Sequence, residues 1–339
     1  GDKNGACSLY DCSKNCERRG AGVFGGSPDS RNFGGTIASS NGALFLLQQT
    51  GKRDEAAVIH TLAAPSALDD ARISFIETTG RIAAPDNIRP NNDLEKDARF
   101  GEVFDVDGSL LAVRGYDGGR PAVFVYTRTD SGDAWELDST INAANTGAGD
   151  SERFGEGILV EGEAIYIGDP RGGVESSIFR MVRGDSPNVW KVDDTIQAPS
   201  ERGEFGRRMA FLQGTLYAAQ VEDKWGEVHA YAAETSSPQT LAPVQTPSLL
   251  NEALGFGANV VASAGWVAVA DFNTRSVHLY RESQGGLLQP VQIITKEAVD
   301  SFGASIAIST TVSGRTAMPP GTSPVANSGK CVVCHRSSS

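Results

Sequence analysis

The chain has 339 residues, 39 of them glycine, only 7% aromatic side chains, and a formal net charge of −12. That acidity argues against nucleic acid as a partner, which asks for clustered Lys and Arg. With no run of 18 apolar residues in the sequence, there is no membrane-spanning helix to be read from it.

Residues 1–30 are polar and irregular, carry Cys7, Cys12 and Cys16, and hold one strand candidate, GVFGG at 22–26. No N-terminal apolar stretch reads as an uncleaved signal peptide, so residue 1 reads as a mature or proteolysed start. At Phe33-Gly34 a phrase begins that recurs at Phe100, Phe154, Phe205, Phe256 and Phe302. After each Phe-Gly come two short apolar runs joined by a Gly-containing turn: GTIASSNGALFLLQ, EVFDVDGSLLAVRG, EGILVEGEAIYIGDP, RRMAFLQGTLYAAQ and ANVVASAGWVAVAD. Each such pair predicts a β-hairpin. A third strand follows in AAVIHTL, PAVFVYT, SSIFRMV, GEVHAYA and RSVHLYR, and a fourth opens at Trp135 (WELDSTINAA) and Trp190 (WKVDDTIQAP). Four strands in a unit of roughly 50 residues predict an all-β fold, a β-propeller of four-stranded blades, six or seven in number. A β-sandwich would give turn signals at short intervals but not this long-period self-similarity.

At these residues, over about 33–309, the chain resembles the FG-GAP repeat family, the propeller type also found in the head of integrin α subunits. The "GAP" half is closest to the family's pattern at IGDPR (167–171) and has drifted in VRGYD, AAQVE and VADFN. The resemblance implies a secreted or cell-surface propeller that binds or scaffolds proteins. Calcium-binding blades of that family carry an acidic loop between the first two strands. Here the connection is a minimal turn at 106–108, 160–162, 212–214 and 263–265. Calcium takes about six to eight oxygens, which Asp105 and Asp107 beside one tight turn do not supply. Calcium is therefore not expected.

The sixth repeat offers only Phe302–Ser309 before the composition changes. Closure of the ring then calls for strands from both chain ends, since closure is what removes exposed edges, or for a strand added by a neighbouring molecule. The organisation read from sequence is a cysteine-bearing arm at 1–30, the propeller at 31–312, and a Gly/Pro/Ser-rich arm at 313–339. All five cysteines lie outside the repeats, at Cys7, Cys12, Cys16, Cys331 and Cys334. This placement points to disulfides and an oxidising extracellular, cell-surface or periplasmic location, with one cysteine left over.

Cys331-Val332-Val333-Cys334-His335 matches the attachment motif of c-type haem, in which two thioethers hold the porphyrin and the histidine ligates iron. This short resemblance to c-type cytochromes implies Cys331 and Cys334 as attachment points and His335 as proximal ligand. Met318, a histidine such as His60, or a group on a partner chain would then be the second axial ligand. The other readings make Cys331 and Cys334 disulfide cysteines, paired with each other or with the N-terminal trio, or a zinc or redox dithiol site. His229 and His278 occupy the third-strand position that holds Phe124, Phe179 and Ile59 in other repeats, so they read as packing residues, as does His60 one place further along its strand. Trp135 and Trp190 read the same way, as packing between blades. Asp69-Asp70 and Asp193-Asp194 read as solvated turn carboxylates. No catalytic arrangement emerges. The two functional expectations are a protein-interaction or self-assembling scaffold and an electron-transfer protein with one covalent haem.

Overall fold

A computed structural model describes residues 5–11, 17–18, 30–31, 37–40, 43–50, 58–63, 78–83, 100–129, 134–186, 188–222, 225–232, 239–241, 255–263, 265–271, 274–282, 288–295, 305–310 and 329–336. The described strands form six antiparallel sheets. Sheet 1 holds Ile37–Ser40, Ala43–Thr50, Val58–Ala63 and Thr78–Ala83, with Ser30–Arg31 paired to the end of its second strand. Sheet 2 runs Phe104–Asp107, Leu110–Asp117, Arg120–Arg128, Trp135–Asn142, and sheet 3 runs Gly157–Glu161, Ala164–Asp169, Ser177–Arg183, Trp190–Gln197. Sheet 4 comprises Glu204–Leu212, Thr215–Glu222, Trp225–Ala232 and Gln239–Leu241; sheet 5 comprises Phe256–Ser263, Trp266–Asp271, Ser276–Glu282 and Leu288–Thr295. Sheet 6 mixes the two ends of the chain, in the order Ser305–Thr310, Gly329–Arg336, Gly5–Asp11, Glu17–Arg18.

The first strand of each sheet packs on the first strand of the next, from Ile37–Ser40 through Phe104–Asp107 and onward to Ser305–Thr310, which packs back on Ile37–Ser40. The ring is closed, and the fold is a β-propeller. Its closing sheet draws on both expected arms. The C-terminal segment contributes the strand Gly329–Arg336, because KCVVCHR is an apolar, β-branched run that a Gly/Pro/Ser-rich composition had masked. The N-terminal strand is Gly5–Asp11, whereas GVFGG at 22–26 lies outside the described residues, as do Phe33 and Phe302.

The core lies between sheets, not within them. Phe154 clusters with Ala112, Val123 and Val125 of sheet 2 and with Ile165, Ile167 and Phe179 of its own sheet. Phe205 and Phe256 occupy the same place at the next two seams. All three are fully buried. The glycine after each Phe has positive φ: 79° at Gly101, 77° at Gly155, 82° at Gly206 and 93° at Gly257. This left-handed turn, which other residues adopt at a cost, drops the chain against the preceding sheet. A Cβ at Gly206 would stand 2.5 Å from Ile178 Cγ1.

The outer strands carry β-bulges at one repeated place, where Thr79, Asp138, Asp193 and Val291 are the extra residues opposite the third strand. Bulges twist an edge and leave it a poor template for pairing. Phe154→Ala, Phe205→Ala and Phe256→Ala are each expected to cost about 3–5 kcal/mol in denaturant unfolding. Losses below about 1 kcal/mol at all three would contradict their common place at the seams.

Candidate functional site

At the Phe-Gly end of the inner ring, the residue just after the motif is Glu156 in sheet 3 and Arg207 in sheet 4, and the residue before it is Arg153 and Glu204. Arg153 donates to Glu204 and to Glu156, the latter at 3.2 Å. Arg207 spans both acids, with 2.7 Å to Glu204 Oε2 and 2.7 Å to Glu156 Oε2. From sheet 2, buried Arg114 reaches over with Nε donating to Phe154 O at 3.2 Å, Nη2 donating to Glu152 O at 3.1 Å, and Nη2 lying 3.7 Å from Glu156 Oε1. Burial works against the Arg153 guanidinium, but its two carboxylate partners outweigh it and raise its pKa. Among the described residues here, Glu156 and Glu204 are each held by arginines, Arg114, Arg153 and Arg207.

Just outside this network, polar side chains at the ends of the second strands hold the adjoining loops. Asp169, buried at the end of the second strand of sheet 3, accepts from Ser151 Oγ at 2.5 Å and Arg171 Nε at 2.7 Å. In sheet 4 its counterpart Gln220 donates to Ser200 O at 3.0 Å and to Arg202 O. In sheet 5 Asp271 accepts from Thr274 N at 3.2 Å. These are positioning contacts.

The hairpin end of the ring is acidic between sheets 2 and 3. Asp105 Oδ2 accepts the Val160 N–H at 2.8 Å, and Asp107 Oδ2 accepts the Gly162 N–H at 2.8 Å. Burial pushes the Asp105 carboxyl from 3.8 to about 7, aided by the charges of Asp107 and Glu161 and resisted by backbone donors. Burial, with Asp107, also raises Glu161. The turns themselves are the minimal ones expected, with Gly108 and Gly162 both at φ 57°. Among the described residues, no group of three or more His, Cys, Asp or Glu is arranged to hold a metal ion.

On the outer rim, a groove of ≈ 460 Å³ opens between the second turn of sheet 2 and the 143–153 crossover, lined by Asp117, Arg120, Asn142, Asn145, Asp150 and Glu152 among others. Arg120 and Asp150 pair across it at 2.8 Å, both solvent-exposed. Such a concave, mixed-charge surface suits a polar partner segment.

His229 and His278 are buried beside the Phe-Gly phenylalanines. His229 meets Phe205 edge-on at 6.5 Å and His278 meets Phe256 at 5.4 Å, as Phe124 meets Phe100 and Phe179 meets Phe154. Burial lowers both imidazole pKa values, with Glu227 and Asp271 respectively opposing the shift. Trp135 packs on Phe45 of sheet 1 at 5.9 Å, and Trp190 Nε1 donates to Ser139 Oγ of sheet 2 at 3.0 Å. Asp193 is a bulge residue paired with Arg180, and Asp194 Oδ1 accepts its neighbour Thr195 N–H at 2.7 Å.

Cys331, Cys334 and His335 fall in the second strand of sheet 6, flanked on one side by Ser305–Thr310 and on the other by Gly5–Asp11. Cys334 stands opposite Ser305 and Cys7, Cys331 opposite Ile308 and Tyr10, and His335 opposite Ala6. His60 lies in the third strand of sheet 1, opposite Leu46 and Arg81. Cys12, Cys16, Met318 and Asp69-Asp70 lie outside the described residues. The ion network around Glu156 was not singled out from sequence, although the position after each Phe-Gly (Glu102, Glu156, Arg207) carries charge in three successive repeats, and Asp105 was weighed there only as a calcium ligand.

No protein-family model matches the sequence, and no curated protein matches it. Among solved structures, a DUF4623 family protein from Bacteroides eggerthii is similar at 11% identity and a TM-score of 0.53, covering 91% of this chain and 70% of that one. The periplasmic gluconolactonase of Pseudomonas aeruginosa matches at 10% identity and a TM-score of 0.44, covering 86% and 96%. At such identities the likeness is one of fold, and it rests on the first.

The Asp105 shift has a definite sign. The folded protein keeps a proton that the unfolded chain loses above its ordinary pKa, so this residue lowers stability progressively from about pH 4 to about pH 7. Asp105→Asn keeps an acceptor for Val160 N–H without the charge. Its stability advantage over the natural protein is expected to widen between pH 5 and pH 8 in denaturant unfolding; a constant difference would rule Asp105 out as the titrating group. Removal of divalent cations with EDTA is expected to leave the thermal midpoint unchanged, because oxygens of Asp105 and Asp107 are already committed to backbone donors. A fall of many degrees would reveal a bound cation.

Proposed function

We propose that this chain is an extracytoplasmic β-propeller of the FG-GAP type that acts as a protein-interaction or self-assembling scaffold and not as an enzyme. The observation that carries this reading is the closed ion network at the Phe-Gly end. Arg153, Glu156, Glu204 and Arg207 satisfy one another there, in the region of the ring where a catalytic propeller would need an uncommitted acid, base or nucleophile. The exposed Arg120 and Asp150 groove offers polar contacts at the rim, the kind of surface that orients a partner without chemistry. An oxidising location is supported by cysteines confined to the two ends of the sequence, outside the repeats.

The alternative of a covalent c-type haem is less well supported by the placement of its motif. Thioether attachment needs both cysteines at one porphyrin edge with the histidine over the iron. A strand rising about 3.3 Å per residue sets Cys331 and Cys334 about 10 Å apart, at positions of opposite parity. Both edges of that strand are already paired. Residues so placed do not fit the group.

In-cell cross-linking of the tagged chain, with fractionation, tests the proposal. A discrete covalent adduct with a second protein or a second copy, in the fraction outside the cytoplasm, is expected. A chain that stays monomeric, or that stays in the cytoplasm, overturns it.

A further inference from the structure

We infer that Cys7 and Cys334 form a disulfide that locks the two ends of the chain into one sheet. The register places them directly opposite each other in the antiparallel pair of Gly5–Asp11 with Gly329–Arg336. Directly opposed residues in an antiparallel pair have Cα atoms about 4.5 or 5.5 Å apart, depending on the hydrogen-bonding site. Both separations lie inside the roughly 4.4–6.8 Å that a disulfide spans. No other pairing among the three cysteines in this sheet meets that condition. Cys331 stands opposite Tyr10, three positions along from the Cys7 and Cys334 pair. At about 3.3 Å per residue this is about 10 Å, beyond the roughly 7 Å limit for bridging. The extended strand therefore disfavours an internal Cys331–Cys334 bond, the pairing that the spacing of the motif first suggests.

The bond forms by thiol–disulfide exchange. The Cys7 and Cys334 thiols give up two protons and two electrons, and the oxidant is an external disulfide, carried by an oxidoreductase or a small-molecule disulfide, that leaves as its dithiol. The closed loop embraces nearly the whole chain, the case in which a cross-link restricts the unfolded ensemble most in the chain-entropy account. It also covers the place where the ring is joined by pairing between the two ends and not by a hairpin. Cys12, Cys16 and Cys331 are then left, so the unpaired cysteine belongs to that trio. The inference concerns closure alone and stands whether or not the propeller binds a partner.

Peptide mapping of the full chain, purified without reductant, tests it. Combined tryptic and chymotryptic cleavage separates Asn4–Tyr10, which contains Cys7 alone, from Cys331–Arg336. The two peptides are expected to run as one linked species that reduction splits. The link should persist in Cys331→Ser and be lost in Cys334→Ser and Cys7→Ser. The inference is overturned if Cys331–Arg336 is recovered unlinked, internally bonded, joined to a fragment carrying Cys12 or Cys16, or heavier by a haem. A link that survives Cys334→Ser overturns it equally. Mapping the natural sequence decides the matter even if a variant fails to fold.

Discussion

No sheet of this propeller can bury itself, and the phenylalanine at the start of the innermost strand in sheets 2 to 5 is what makes neighbours mutually necessary, since it packs on the preceding sheet while meeting a third-strand ring of its own. A four-stranded antiparallel sheet has two faces and no interior. Here both faces of the middle strands are covered, as the burial of every residue of Ala164–Asp169 and Trp266–Asp271 records. Phe154, Phe205 and Phe256 reach from one sheet toward the next, and the left-handed glycine behind each ring brings the backbones close enough for the seam to be dry. The third-strand partner is aromatic or imidazole at every such seam. His229 and His278 belong to this set by shape, and burial keeps them uncharged near neutral pH.

Polar chemistry is arranged around that apolar frame in a way that favours fixity. The buried ends of the second strands hold the crossovers through Asp169 and Gln220, so the path into each inner strand is set by side-chain hydrogen bonds as well as by packing. At the Phe-Gly end, opposite charges on adjacent sheets neutralise each other. At the hairpin end, backbone N–H groups of sheet 3 meet carboxylates of sheet 2. One of these, Asp105, is held where its charge is disfavoured, and electrostatics there works against the native state at neutral pH.

The repeat carried most of the fold in plain view. Phe-Gly recurrence located the inner strands, and the alignment of His229 and His278 with Phe124 and Phe179 located the packing partners, because a position that faces the same seam in every sheet selects the same shape. What escaped was set by contacts between repeats. Arg153 meets Glu204 across a seam, and nothing in either local sequence announces the other. The strand Gly329–Arg336 was hidden for a different reason. Its pattern invites a cofactor reading, while its partner strands lie at opposite ends of the sequence. Pairing with Gly5–Asp11 is a property of the closed ring, which no local window contains. At the end of the second strand a buried side chain able to hydrogen-bond a neighbouring loop is needed, and Asp169 and Gln220 each provide it.

Because sheet 6 takes its inner strands from the end of the chain and its outer strands from the beginning, the fold is not finished in the order in which it is made. On a ribosome, Gly5–Asp11 is made before sheets 1 to 5 and must wait for its partner Gly329–Arg336, which follows them all. Sheets 2 to 5 are sequentially local and can assemble as they appear, while the longest contacts in the molecule come last. Contacts of such high sequence separation slow the final step of folding. Ring completion is thus the latest event in the assembly of the fold, because the two strands it joins are the most distant in the sequence.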